Sequence, residues 1–94
     1  MTLKKIRDSH GNYYELKNLN TSLMTIFIHG VGLDNTMWFP QKEYFNHKSV
    51  LFYDLLNHGK SIGDFKELSF DIFNKQLLNL IENLKIEKIN IVGF

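Results

Sequence analysis

The 94-residue sequence has no cysteine, a single proline, and no unbroken apolar run near the ~20 residues needed to cross a bilayer. The missing thiols exclude disulfides and thiolate chemistry. The missing long run gives no reason to place the chain in a membrane. Neither sign of charge dominates. Eleven Lys and Arg against ten Asp and Glu leave a formal charge of +1, with no basic stripe to track a phosphate backbone, so nucleic acid is not an expected partner. The opening MTLKKIRDSHGN carries basic residues with no apolar stretch behind them. No secretory leader is read there, and a cytoplasmic location is the expectation. Residues 1–94 read as one small domain, a size that buries somewhat over ~60% of the surface of the extended chain.

The residues that are present alternate between two kinds of pattern. Leu3 to Arg7 and Asn12 to Lys17 are β-compatible runs on either side of Asp8-Ser9-His10-Gly11, whose turn formers predict a hairpin. Leu23 to Ile28, Ser49 to Asp54 and Ile89 to Phe94 are continuous apolar runs of the kind that suits strands covered on both faces. Between the first two of these, Thr36 to Asn46 holds the lone Pro40, which belongs in a first helical turn, so a helix is predicted to begin near it. Between the last two, Phe70, Phe73, Leu77, Leu80, Ile81 and Leu84 recur at steps of three and four. That spacing predicts an amphipathic helix over 69–85 with Ser69 as N-cap, Asp71 in the first turn and Lys85 at the end. Strand, helix, strand, helix, strand behind a hairpin is an α/β arrangement with three parallel strands and two intervening helices.

NHGKSIGDF, residues 57–65, overlaps three signatures. Gly59-Lys60-Ser61 is the tail of a phosphate-binding loop, but the glycine that must open such a loop falls at position 54, where Asp54 stands and would repel phosphate. Gly59-Lys60-Ser61-Ile62-Gly63 matches G-x-S-x-G, but a nucleophile elbow runs straight from strand to helix, whereas Leu55 to His58 intervene here and Ile62-Gly63-Asp64 reads as further loop. Asn57-His58-Gly59 reads as a turn, because asparagine tolerates a left-handed backbone.

IFIHGVGLDNTMW, residues 26–38, followed by FYDLLNHGKS, residues 52–61, resembles the α/β-hydrolase superfamily. Its members carry an HGxx loop after the third strand and a D-x-x-G-x-G-x-S loop after the fourth. The likeness runs the length of the chain and departs at Asn57, where glycine is usual. It implies the N-terminal half of the α/β-hydrolase fold, acting without a cofactor or metal on a small ester-like substrate. The Val31 N–H would be an oxyanion donor, His29 and Gly30 would form its loop, and Gly32 and Trp38 would border the substrate. Ser61 then closes the second loop and is not the nucleophile. Asp54 is expected to accept N–H groups of that loop, and Leu56 to pack beneath it.

The resemblance also implies that Ile91-Val92-Gly93-Phe94 leads into the elbow V-G-x-S-x-G, with the serine next and the acid and histidine later still. All four histidines precede that point. The 94 residues are therefore expected to be an incomplete hydrolase domain, inert by themselves. Ile89, Ile91, Val92 and Phe94 are expected on an open, self-associating edge, with Phe27, Leu51 and Tyr53 partly uncovered. Two other readings carry different expectations: a non-catalytic remnant that binds a partner, and a phosphate-binding domain.

Overall fold

The computed structural model describes residues 3–19, 22–45, 47–63 and 69–94. Asn46, Asp64 and Phe65, which fall in stretches read from the sequence, lie outside them. Strands β1 (Lys4–Arg7) and β2 (Tyr13–Lys17) form the hairpin, followed by β3 (Leu23–Ile28), β4 (Val50–Tyr53) and β5 (Lys88–Gly93). The sheet order is β1-β2-β4-β3-β5, with β2 antiparallel to both neighbours and β3 parallel to β4 and β5. At the hairpin turn the Asp8 carboxylate accepts the N–H groups of His10 and Asn12, each at 2.9 Å, and the Asn12 side-chain amide at 3.0 Å. The Asp-Ser-His-Gly composition thus works as a side-chain-closed turn.

Period-two alternation along β3 and β4 divides the core between the two sheet faces. Met24, Ile26, Leu51 and Tyr53 meet the helix α1b (Phe70–Asn83) through its Phe73, Leu77, Leu80 and Ile81. Phe27, Val50 and Phe52 face the opposite way, onto Met37 and Trp38 of a 3₁₀ turn (Asn35–Trp38) and onto Phe45, which follows the short helix α1a (Phe39–Tyr44). There Phe27 stacks on Phe52 at a centroid distance of 4.5 Å and takes the edge of Trp38 at 5.2 Å. Pro40 lies in the first turn of α1a, as its missing N–H requires.

Two expectations are corrected. Phe27, Leu51 and Tyr53 are fully buried, because helices already cover both faces of the central strands. Phe70, counted as part of the helix's core stripe, is 86% exposed. It stands in the first turn, where its side chain borders a cavity instead of the sheet. The expected edge is present, with Ile89, Ile91 and Phe94 exposed and β3 the one strand paired with β5 among the described residues, but Val92 is partly buried against the Phe27 and Trp38 cluster. No helix of the described residues is long and apolar enough to cross a membrane.

The end of α1b is set by backbone geometry. Lys85 adopts φ 54, its N–H donates to the Glu82 carbonyl at 3.1 Å, and the Ile86 N–H donates to the Ile81 carbonyl at 3.0 Å. This is a Schellman closure with lysine at the left-handed position that glycine normally fills, sealed by Ile86 packing on the core. Lys85→Gly is therefore expected to stabilise the fold by about 1 kcal/mol. For a domain of this size that raises the melting temperature by roughly 4–8 °C, measurable by circular dichroism.

Candidate active site

The chain leaves β3 toward β4, whereas β5 joins β3 on its other side. The C-terminal ends of β3 and β5 therefore flank a reversal of strand order, the place where open α/β sheets bind ligands. The residues found there are His29, Gly30 and Val31 from the loop after β3, and Phe94 after β5. They line a cavity of about 410 Å3 together with Ile28, Tyr53, Leu55 and the α1b residues Phe70, Phe73, Asn74 and Leu77.

His29 is 2% exposed and both its ring nitrogens are engaged. Nε2 accepts the Leu55 N–H at 2.9 Å, so the proton sits on Nδ1, which donates to the Gly30 carbonyl at 2.8 Å. That carbonyl also accepts the Leu33 N–H at 3.0 Å, closing a tight turn with Gly32 at φ 87. Positive φ at the third turn position is why glycine is needed there, since nothing lies within 4 Å of where a Cβ would stand. The Gly30 carbonyl and the Val31 N–H belong to one planar trans peptide. Two donors that hold the carbonyl therefore also fix the direction of the N–H, which points the opposite way. Val31 is 72% exposed, and its N–H has no acceptor among the described residues.

Of the residues singled out in the sequence, His29, Gly30 and Val31 meet at this cavity. Gly32 lies in an adjoining cleft of about 590 Å3 with Asp34, Thr36, Asn57, His58 and Gly59. Trp38 borders neither space. It is 7% exposed in the aromatic cluster on the other sheet face, and its indole N–H has no acceptor among the described residues.

The second loop is organised by the buried Asp54 carboxylate. Oδ1 accepts the backbone and side-chain N–H groups of Asn35, both at 2.7 Å, and Oδ2 accepts the Lys60 N–H at 2.8 Å. The N–H that a phosphate loop would turn toward its ligand is thus taken by Asp54. Ser61 Oγ donates to the Asp54 carbonyl at 2.6 Å and accepts the Tyr13 N–H at 2.9 Å, so the hydroxyl is bound on both sides within the fold. Asn57 takes φ 60, and Leu56 is buried under the loop. Gly59 takes φ 49, and a Cβ there would stand 2.9 Å from the Asp34 Cβ.

The sequence reading missed the residues that tie these loops together. Gln76 Nε2 donates to the Asp54 carbonyl at 2.9 Å and to Asn12 Oδ1 at 3.0 Å, while its Oε1 accepts the Leu56 N–H at 3.1 Å. Its one visible signal is a polar residue inside the apolar stripe, between Phe73 and Leu80. Lys42 bonds the Asn35 side-chain oxygen and pairs with Glu15 at 3.0 Å. Glu15 also accepts the Tyr13 hydroxyl at 2.8 Å. Burial, followed by that bond and the Glu15 charge, pushes the Tyr13 pKa up to about 12.

No protein-family model matches the chain. It is 32% identical over 69 residues to the (E)-2-((N-methylformamido)methylene)succinate hydrolase of Acinetobacter baylyi, covering 72% of this chain and 26% of that protein. Among solved structures, an α/β-hydrolase enzyme from a Medee basin deep-sea metagenome library superposes with a TM-score of 0.78 at 26% identity. That match covers 96% of this chain and 34% of the other. The enol-lactonase of Burkholderia xenovorans LB400 superposes with a TM-score of 0.77 at 23% identity, over 97% and 36% of the respective chains. The chain thus spans about a quarter to a third of the length of these proteins.

Asp34 caps the 3₁₀ turn by accepting the Thr36 hydroxyl at 2.5 Å and the Thr36 N–H at 2.8 Å, and these bonds hold its pKa below the usual carboxylate value. Because the folded pKa is depressed, the stabilisation is complete above the unfolded value of ~3.9 and is lost as pH falls through the folded one. Asp34→Ala should cost about 1 kcal/mol at neutral pH. The gap to the parent should close in urea titrations repeated at progressively lower pH, below ~4.

Proposed function

The chain has the N-terminal part of the α/β-hydrolase fold, and on that premise we propose that it supplies the oxyanion-binding half of a hydrolase acting on an ester or similar carbonyl compound. The observation that carries this reading is the Gly30–Val31 peptide, held by His29 and Leu33 with its N–H unengaged at the reversal of strand order. When a nucleophile adds to a carbonyl carbon, charge gathers on the oxygen. A donor already fixed in direction stabilises that charge without reorganising. Hydrolases among the similar proteins support the reaction class. The serine, acid and histidine of the reaction are assigned to parts of the fold outside these 94 residues. The serine is assigned to the elbow that Ile91-Val92-Gly93-Phe94 leads into.

The test uses p-nitrophenyl acetate. The 94 residues alone should give no turnover above buffer. In a protein that also carries the remaining strands, Val31→Pro deletes the N–H and should lower kcat by about 10²- to 10³-fold. Ser61→Ala should stay within a few-fold once corrected for the folded fraction. Orders-of-magnitude loss from Ser61→Ala, with Val31→Pro unchanged, would move the active centre to the second loop.

A second reading, a non-catalytic chain that docks a partner strand, is favoured by the exposed edge of β5 with Ile89 and Ile91 on it. It predicts concentration-dependent association in light scattering that is abolished by Ile91→Lys. Association unaffected by that charge would exclude β5 as the docking edge.

A further inference from the structure

The tautomer of His29 decides which way the Gly30–Val31 peptide faces, and that tautomer is set by one neighbour, the Leu55 N–H. A ring nitrogen that accepts this N–H carries no proton, so Nδ1 carries it and donates to the Gly30 carbonyl. Were the Asp54–Leu55 peptide turned over, a carbonyl would face Nε2 instead. The proton would then move to Nε2, and a bare Nδ1 would repel the Gly30 carbonyl. Whatever holds the Asp54–Leu55 peptide therefore also holds the direction of the Val31 N–H.

That peptide is trans and planar, so the Asp54 carbonyl and the Leu55 N–H point in opposite directions. Two donors meet the carbonyl, Ser61 Oγ at 2.6 Å and Gln76 Nε2 at 2.9 Å. Ser61 grips this peptide alone. Gln76 also grips the next one, because its Oε1 accepts the Leu56 N–H at 3.1 Å, while the Leu55 carbonyl of that second peptide accepts the His58 N–H at 2.9 Å. One side-chain amide thus fixes two successive peptides. The Leu56 N–H needs an acceptor and the Asp54 carbonyl a donor, which settles the oxygen and nitrogen ends of the amide. Gln76 is 3% exposed and projects from α1b, whose Phe73, Leu77 and Leu80 pack on the sheet, so the grip comes from an anchored helix and not from a loop.

We infer that Gln76 is a positioning residue for the oxyanion donor. It keeps the Leu55 N–H on His29, which keeps His29 in its Nδ1–H tautomer and the Val31 N–H turned outward. Ser61 is the second hold on the same carbonyl. This assignment rests on reading the Val31 N–H as an oxyanion donor, and it extends the apparatus behind that donor from the two loops to the helix α1b. Gln76 acts through His29 and not on the substrate.

The test uses the protein that also carries the remaining strands, with its histidines isotope-labelled so that NMR reads which ring nitrogen bears the proton. In the parent, the neutral His29 ring should carry it on Nδ1 alone. Gln76→Ala should add an Nε2–H population and lower kcat on p-nitrophenyl acetate about tenfold with KM within about twofold, because the donor is misdirected while substrate contacts are untouched. Adding Ser61→Ala to it removes both holds and should lower kcat by more than the product of the two single effects. Asn12→Ala deletes the remaining Gln76 bond, the one from Nε2 to Asn12 Oδ1, and spares both peptides. It should lower the melting temperature without changing the tautomer or kcat. The proposal is overturned if Gln76→Ala, corrected for the folded fraction, leaves the tautomer as in the parent, or leaves kcat unchanged where Val31→Pro lowers it; either is the outcome of a merely structural bond. Where Gln76→Ala does not fold, Ser61→Ala decides, since it leaves the Asp54 carbonyl to Gln76: a retained Nδ1–H supports the proposal, and a shift of the proton to Nε2 overturns it. A kcat indifferent to Val31→Pro would sink the oxyanion reading instead, and the tautomer would still report whether Gln76 holds His29.

Discussion

A carboxylate taken out of water at the end of a buried strand costs several kcal/mol unless donors surround it, and Asp54 sits in that position. Its side chain collects N–H groups from Asn35 and Lys60, and its own carbonyl collects Ser61 and Gln76. Those donors come from the 3₁₀ turn, the loop after β4 and the helix before β5. The Asp54 N–H closes the set by donating to the Tyr13 carbonyl at 3.0 Å. One residue thereby holds the positions of three separate segments, and Lys42 extends the hold through Asn35 to Glu15 on β2. Oδ1 and the carbonyl each have two donors, whereas Oδ2 depends on the Lys60 N–H alone, so the bonds reinforce one another and tie the segments into one buried network.

With the β4 end held in this way, Leu55 presents its N–H to His29, and His29 in turn holds the Gly30 carbonyl. The direction of the Val31 N–H is the last link of a chain that begins at a buried carboxylate. The His58 ring, 5.3 Å from that of His29, fills the space between the two loops and meets Phe73 on its other side. Rigidity at this point matters chemically because a donor that must reorganise as charge develops returns much of what it contributes. The cavity next to it has the opposite character, with mostly apolar walls that define shape.

Much of this was legible in the residues because it rests on local periodicity and on side chains whose conformational needs are narrow. Unbroken apolar runs marked β3, β4 and β5, the three-and-four spacing marked the long helix, and Pro40 marked the start of the short one. Asn57 marked a left-handed turn, and Asp54 marked a loop-holding carboxylate in place of a phosphate-loop glycine. The order of His29-Gly30-Val31-Gly32 and Asp54 to Ser61 along the chain was enough to indicate the superfamily.

What sequence could not show is which groups meet across the sheet. Phe70 fits the helical stripe yet borders the cavity, because the first turn of that helix carries it away from the sheet. Trp38 stands near the candidate loop in sequence but packs on the opposite face, since the chain crosses over after β3. Phe27, Leu51 and Tyr53 are covered although their strand runs alone cannot say by what. The bonds of Gln76 and Lys42 depend on partners up to 64 positions away along the chain. Periodicity acts over one or two turns of chain and so determines the elements. Partnership of buried polar groups is decided only when those elements pack, because each donor must find its acceptor in a space that no single element encloses.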